Sequence, residues 1–125
     1  MFAAQKPEDC SRLFAGCVNA GDVEGALALY EERGCYVLRD GVATGAAAIR
    51  PVVEGMIASG SRLACNVKRV VRAGEGLALL YNDWRLTVGG DDDLSIERSG
   101  KALGLVRRQA DGTWRFVIDD PYGRT

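Results

Sequence analysis

Apolar residues recur at helical spacing in the first part of the chain and at alternate positions in the second, so helices should come first and strands later. Cys10, Leu13, Phe14, Cys17 and Val18 follow the i, i+3, i+4, i+7, i+8 pattern of one buried face, which predicts a helix over 7–19. Pro7, Glu8 and Asp9 suit its first turn, where proline loses no hydrogen bond and acids meet the positive end of the helix dipole. Asn19-Ala20-Gly21 stops it, since glycine takes the left-handed C-terminal conformation without strain. Asp22 caps a second helix predicted over 23–32, with Val23, Ala26, Leu27 and Tyr30 inward and Arg33-Gly34 as its end. Cys35-Tyr36-Val37-Leu38 reads as a short strand closed by a turn at Asp40-Gly41. Thr44 is the expected cap of a third helix over 45–59, with Ile49, Val52, Val53, Met56 and Ile57 on its apolar face. Pro51 lies beyond the first turn of that helix and is expected to cost a hydrogen bond or to kink it.

After Gly60 the pattern changes to period two. Strands are predicted over 63–72, 77–88, 95–109 and 113–119. Ala73-Gly74-Glu75-Gly76 and Ala110-Asp111-Gly112 are the hairpin turns, and Gly89-Gly90-Asp91-Asp92-Asp93 is an exposed acidic loop. Gly100 and Gly104 mark a bend or bulge in the third of these strands. The tail from Pro121 to Thr125 is expected to be loose unless it pairs with another element. Helices followed by a meander of long strands give an α+β fold, one domain over 1–125. Its antiparallel sheet should curl, and three N-terminal helices should close it around a hollow of the kind that holds ligands.

Composition narrows the chemistry. With 125 residues the chain supports one core, and its formal net charge of -1 gives no general attraction to nucleic acid or to an anionic membrane. No apolar run approaches the roughly 20 residues that span a bilayer. The first residues turn polar at once, which makes a cytoplasmic location the expectation. There is no histidine, so Ser-His and Cys-His nucleophile arrangements are excluded. Cys10, Cys17, Cys35 and Cys65 form no C-x-x-C pair, so no metal site is expected and the cysteines read as small buried thiols. No cofactor motif is present. The acidic loop lacks the Gly-Lys-Ser/Thr ending of a phosphate loop and does not match a calcium loop.

Two strands carry candidate acids. Tyr81, Asp83 and Arg85 share one face of the 77–88 strand, and Asn82 and Trp84 share the other. Asp83 is a candidate general base if its face lines the hollow. The favoured alternative puts Asp83 and Arg85 on the surface and Asn82 and Trp84 in the cavity. On the last strand, Trp114, Phe116, Ile118 and Asp120 form the more apolar set, which should face the core and carry Asp120 to the mouth of the hollow. Asp119 is the third candidate acid, and Asp119-Asp120-Pro121 equally suits a turn with Asx hydrogen bonds. Phe14, Tyr30, Tyr36, Trp84, Trp114 and Tyr122 are aromatics that serve either as core or as ligand contacts. Arg98, Lys101, Arg107 and Arg108 point to both faces of one strand, so they read as solvated edge charges.

The runs Asn19-Ala20-Gly21-Asp22, Ala26-Leu27-Ala28-Leu29-Tyr30, Asp40-Gly41, Thr44-Gly45-Ala46-Ala47-Ala48-Ile49, Asp111-Gly112-Thr113-Trp114-Arg115-Phe116 and Asp119-Asp120-Pro121-Tyr122 carry a family likeness. In this order they resemble the nuclear transport factor 2-like superfamily, which includes ketosteroid isomerases and SnoaL-like cyclases. The resemblance implies a cone-shaped fold, a homodimer paired through the sheet and a pocket for a small apolar molecule. It implies a catalytic tyrosine at the position of Phe14 and a catalytic carboxylate at the position of Leu38. Both are hydrocarbon here, and neither an oxyanion donor nor a base can be replaced by hydrocarbon, so ketosteroid isomerase chemistry is disfavoured. The limonene epoxide hydrolase relatives use an Asp-Arg-Asp set, for which Asp83 and Arg85 with Asp119 or Asp120 are the matching types. Two readings follow. One is a SnoaL-like small-molecule-binding domain, acting by acid-base catalysis through Asp83, Asp119 or Asp120, with Phe14, Tyr30, Tyr36, Leu38, Met56, Trp84 and Trp114 around the ligand. The other is a non-catalytic dimerisation or accessory module.

Overall fold

The computed structural model describes residues 3–88 and 96–125. The chain runs α1 (Asp9–Ala20), α2 (Val23–Leu27), β1 (Tyr30–Leu38), β2 (Gly41–Thr44), α3 (Ala46–Ala58), β3 (Arg62–Ala73), β4 (Leu77–Val88), β5 (Ile96–Arg108) and β6 (Trp114–Asp120). The strands form one curved sheet in the order β2-β1-β6-β5-β4-β3. All neighbours are antiparallel except β1 and β6, which pair in parallel, so the sheet is mixed. The acidic loop expected at 89–93 lies outside the described residues.

The helices follow their caps. Gly21 ends α1 at φ 72°, its N–H bonded to the Val18 carbonyl, while Asp22 takes the next amide to Cys17. The Asp22 carboxylate accepts from the Gly25 amide at 2.9 Å. A side chain at Gly25 would stand 2.3 Å from that carboxylate, so the tight cap requires glycine. The second helix is far shorter than the predicted 23–32. The Phe116 amide bonds the Leu29 carbonyl at 2.7 Å, and this pairing with the last strand draws the chain out from Tyr30 onward. Tyr30 keeps its inward position, as a strand residue. The edge strand β2 also replaces the expected run from turn to helix cap. The residue before α3 is Gly45 at φ 84°, with no side-chain cap, and Thr44 belongs to β2. The third helix continues through Pro51, which sits on its exposed side.

Irregularities in the strands set which side chains point inward. Facing β5, residues 116 and 118 of β6 span one step, from Val106 to Leu105, so Val117 is an extra residue and a bulge. A second shift, between Val67 and Arg69, makes Lys68 the extra residue of β3. Between Tyr30 and Cys35, β1 carries further residues opposite β6. Gly34 lies in that stretch, where a side chain would come within 2.8 Å of the Phe116 carbonyl. The core fills one end of the cone with Phe116, Ile49, Leu80, Val53 and Val106, packed between α1, α3 and the sheet. All four cysteines are free thiols. No helix among the described residues is long and apolar enough to cross a membrane.

Candidate functional site

The other end of the cone is hollow. A cavity of about 470 Å³ lies between α1, α3 and the inner face of the sheet, within the size range of small-molecule sites. Phe14, Val52 and Met56 line it from the helices, and Leu63, Trp84 and Leu86 from β3 and β4. The space exists because, inward of Arg98 at its start, β5 presents the small residues Gly100, Ala102 and Gly104 to this side. A side chain at Gly100 would meet the Trp84 ring at 2.6 Å, and one at Gly104 would meet the Phe116 ring at 2.9 Å. The indole therefore lies flat on β5. Its Nε1–H donates to the Pro121 carbonyl at 2.6 Å, and its ring packs edge-on against Tyr122 at 5.4 Å. That contact ties down the start of the tail, which continues along β5 rather than hanging loose. The Arg124 amide bonds the Lys101 carbonyl at 2.9 Å, and the Lys101 amide bonds the Thr125 hydroxyl at 3.0 Å.

Asp119 is the acid inside the cavity. The alternation of β6 predicts the opposite, with Ile118 and Asp120 inward. The Val117 bulge reverses the parity after Phe116, so Ile118 is 41% exposed and Asp119 lines the cavity. Asp120 turns away and accepts the Tyr122 amide at 3.2 Å, the Asx turn that its setting before Pro121 allows. The Tyr30 hydroxyl donates to the Asp119 carboxylate at 2.6 Å, and the Tyr30 ring packs against both Phe14 and Phe116. Burial raises the Asp119 pKa to about 6, with the neighbouring Asp120 adding to the rise and the Tyr30 hydrogen bond opposing it. Tyr30 and Tyr36 titrate well above the usual tyrosine range, through burial first and the Asp119 charge second. Both keep their protons at neutral pH. The Cys65 thiol, also on the cavity wall, is pushed up to about 11 by burial.

Asp83 lies on the other side of the sheet. Its carboxylate accepts from Arg124 at 2.6 Å in a shallow outer groove, and that hydrogen bond lowers its pKa. Arg85 pairs with Glu97 at 2.9 Å, both exposed. An Asp-Arg-Asp set within the cone is thus not assembled, because Asp83 and Arg85 point outward while Asp119 points inward. Of the aromatic and apolar candidates, Phe14, Tyr36, Leu38, Met56, Trp84 and Tyr122 line the cavity. Tyr30 reaches it only through Asp119. Trp114 is buried at the filled end, with Arg72 over its ring at 5.8 Å. Asn82 shares the cavity face of β4 with Trp84, as the favoured alternation requires. Arg39 and Arg98 also line the cavity. Arg98 reads in the sequence as one of several solvated edge charges, and Arg39 carries no local signal, so neither is singled out by alternation.

No known family model matches the sequence, and no curated protein does. Solved structures match in shape. A ketosteroid isomerase-like protein from Erwinia carotovora atroseptica superposes with a TM-score of 0.76 at 18% identity, covering 91% of this chain and 90% of that one. A nuclear transport factor 2-like protein with a cystatin-like fold from Novosphingobium aromaticivorans gives 0.77 at 19% identity over 90% and 75%. A protein of unknown function from Shewanella oneidensis, described as similar to nuclear transport factor 2, gives 0.72 at 15% over 90% and 92%. The chain has the nuclear transport factor 2-like, cystatin-like α+β fold, and at these identities the likeness carries the fold alone.

Proposed function

We propose that the cavity binds a small, largely apolar compound and that Asp119 moves a proton on it as a general acid and base. One observation carries this reading: a carboxyl with a pKa of about 6 lines an apolar cavity and is held by a buried tyrosine hydroxyl. A carboxyl poised near neutrality can both give and take a proton at working pH. Phe14 and Leu38 line the same cavity as hydrocarbons, so the base must come from β6 and not from the end of β1. A non-catalytic module would be expected to fill the cone with its own side chains. The open volume and the inward acid weigh against that alternative. Carbon NMR titration of the Asp119 carboxyl is expected to show a midpoint near about 6. A midpoint in the ordinary range near 4 would remove the basis for acid-base catalysis.

A homodimer through the outer face of the sheet is part of the same reading. Val71, Leu79, Leu105 and Ile118 are cross-strand neighbours in one row over β3, β4, β5 and β6. Val71 is 38% exposed and Ile118 41%, an apolar stripe of the kind that two copies bury face to face. Light scattering at micromolar concentration should give twice the chain mass, and Leu105→Asp should give a monomer with unchanged far-ultraviolet circular dichroism. A wild-type monomer under the same conditions would count against the pairing.

A further inference from the structure

Asn82 is buried at 8% exposure on the cavity wall. Its Nδ2 donates to the Cys65 sulfur at 3.5 Å, while its Oδ1 is buried without a partner. Buried carbonyl oxygens are rarely left this way. The residue opposite Asn82 on β5 is Ala102, which offers no donor, and Asn82 lines the cavity, toward which its amide must turn for Oδ1 to be reached. A molecule in the cavity is therefore what can complete the hydrogen bonding of this side chain. The charges lining the cavity are just as uneven. They are Asp119, within, and two arginines, Arg39 and Arg98, both exposed. Arg39 follows Leu38 at the end of β1, and Arg98 faces Leu86 across the strands, so both stand at the open end of the cone. The arginine ion pairs of the described residues engage Arg12, Arg50, Arg85, Arg107 and Arg124, not these two. Most of the remaining lining is apolar.

Taking the cavity to be a small-molecule site, as proposed above, we infer that it is built for an amphipathic hydroxy acid. The hydroxyl of an aromatic or alicyclic body donates to Asn82 Oδ1, and its carboxylate lies between Arg39 and Arg98. The complement is read part by part: a donor for the orphaned acceptor, hydrocarbon for the walls and an anion for the rim. A hydroxyl is suited to this amide because it can both donate and accept beside the Asn82–Cys65 pair.

Calorimetric titration with three probes tests this: hydroxynaphthoate, naphthoate and naphthol. Hydroxynaphthoate should bind tightest, with loss of either polar group weakening binding about tenfold, the worth of one well-made hydrogen bond or rim ion pair. Rising salt should weaken the two carboxylates and leave naphthol unchanged. Asn82→Leu should abolish the advantage of hydroxynaphthoate over naphthoate. Arg39→Gln with Arg98→Gln should abolish its advantage over naphthol. Equal binding of all three probes to the wild-type protein would overturn the inference and leave the cavity reading intact. So would a wild-type hydroxyl preference that survives Asn82→Leu. If none of the three binds, the cavity reading falls together with it. The wild-type comparison decides even where a variant fails to fold.

Discussion

Replacing Asp119 with asparagine is expected to make the protein more stable at pH 8, by about 2 kcal/mol, and to remove the proton transfer proposed for it. The sign follows from the direction of the pKa change. Burial raises this carboxyl from 3.8 to about 6, so the folded state holds the proton more tightly than the unfolded state. Between these two values the folded protein carries more protons, and stability falls as pH rises. Below about pH 4 both states are protonated and nothing is lost. Above about pH 7 the full cost of the buried charge is present, about 3 kcal/mol from the change in pKa. Asparagine carries no charge and can still accept the Tyr30 hydroxyl. Its amide N–H must find an acceptor in the cavity, which takes back about 1 kcal/mol. Urea denaturation at pH 4, 6 and 8 should show wild-type stability declining across the series and the variant nearly level. On the acid-base reading proposed above, proton transfer on a compound bound in the cavity should fall by about 10² to 10⁴ in the variant. Parallel pH profiles for the two proteins would mean that Asp119 is not titrating in a buried setting. A gain in stability with a loss of chemistry is the mark of a group kept for function at the expense of the fold.

The placement of Asp119 shows where sequence patterns stop. Alternation along β4 is unbroken, so period two correctly groups Asn82 with Trp84 on one face and Asp83 with Arg85 on the other, while which face turns inward is decided by the packing of the helices against the sheet. The same reasoning along β6 fails at one residue. Val117 is an ordinary strand former, and only its pairing with β5 makes it an extra residue; after it, every side chain changes face. The end of α2 is lost for a similar reason. Val23, Ala26, Leu27 and Tyr30 fit a helical stripe, yet Leu29 gives its carbonyl to Phe116, a partner far along the chain that no local window contains. The glycines mislead in a different way: Gly100 and Gly104 suggest a bend or bulge, yet β5 pairs with β4 without a register shift, and both glycines make room for Trp84 and Phe116 on its inner face. What identifies Asn82 as more than a wall residue is an oxygen with no partner, and that is a property of three strands together.

Phe116→Ala should cost about 3–5 kcal/mol, the usual range for emptying a buried aromatic site. Phe116 is 2% exposed, its ring lies 5.1 Å from that of Tyr30 at 31°, and Gly104 leaves the space its edge occupies. The backbone around it is tied to Leu29 on one side and Val106 on the other, so collapse cannot readily fill the void. Against a total stability of roughly 5–15 kcal/mol, such a loss brings the protein close to unfolding. Phe116→Leu retains much of the volume and should lose only about 1–2 kcal/mol, leaving a folded protein in which the consequence for the site can be read. That consequence runs through Tyr30. With the Phe116 ring gone, the Tyr30 ring keeps only its T-shaped contact with Phe14 among the aromatics, and its hydrogen bond to Asp119 weakens. This bond is the influence that lowers the Asp119 pKa, so loosening it should move the carboxyl titration upward in Phe116→Leu. An unchanged Asp119 midpoint in a destabilised Phe116→Leu would show that the acid is held independently of this aromatic pair. The expected joint shift would mean that the packed end of the cone sets the protonation of the hollow end.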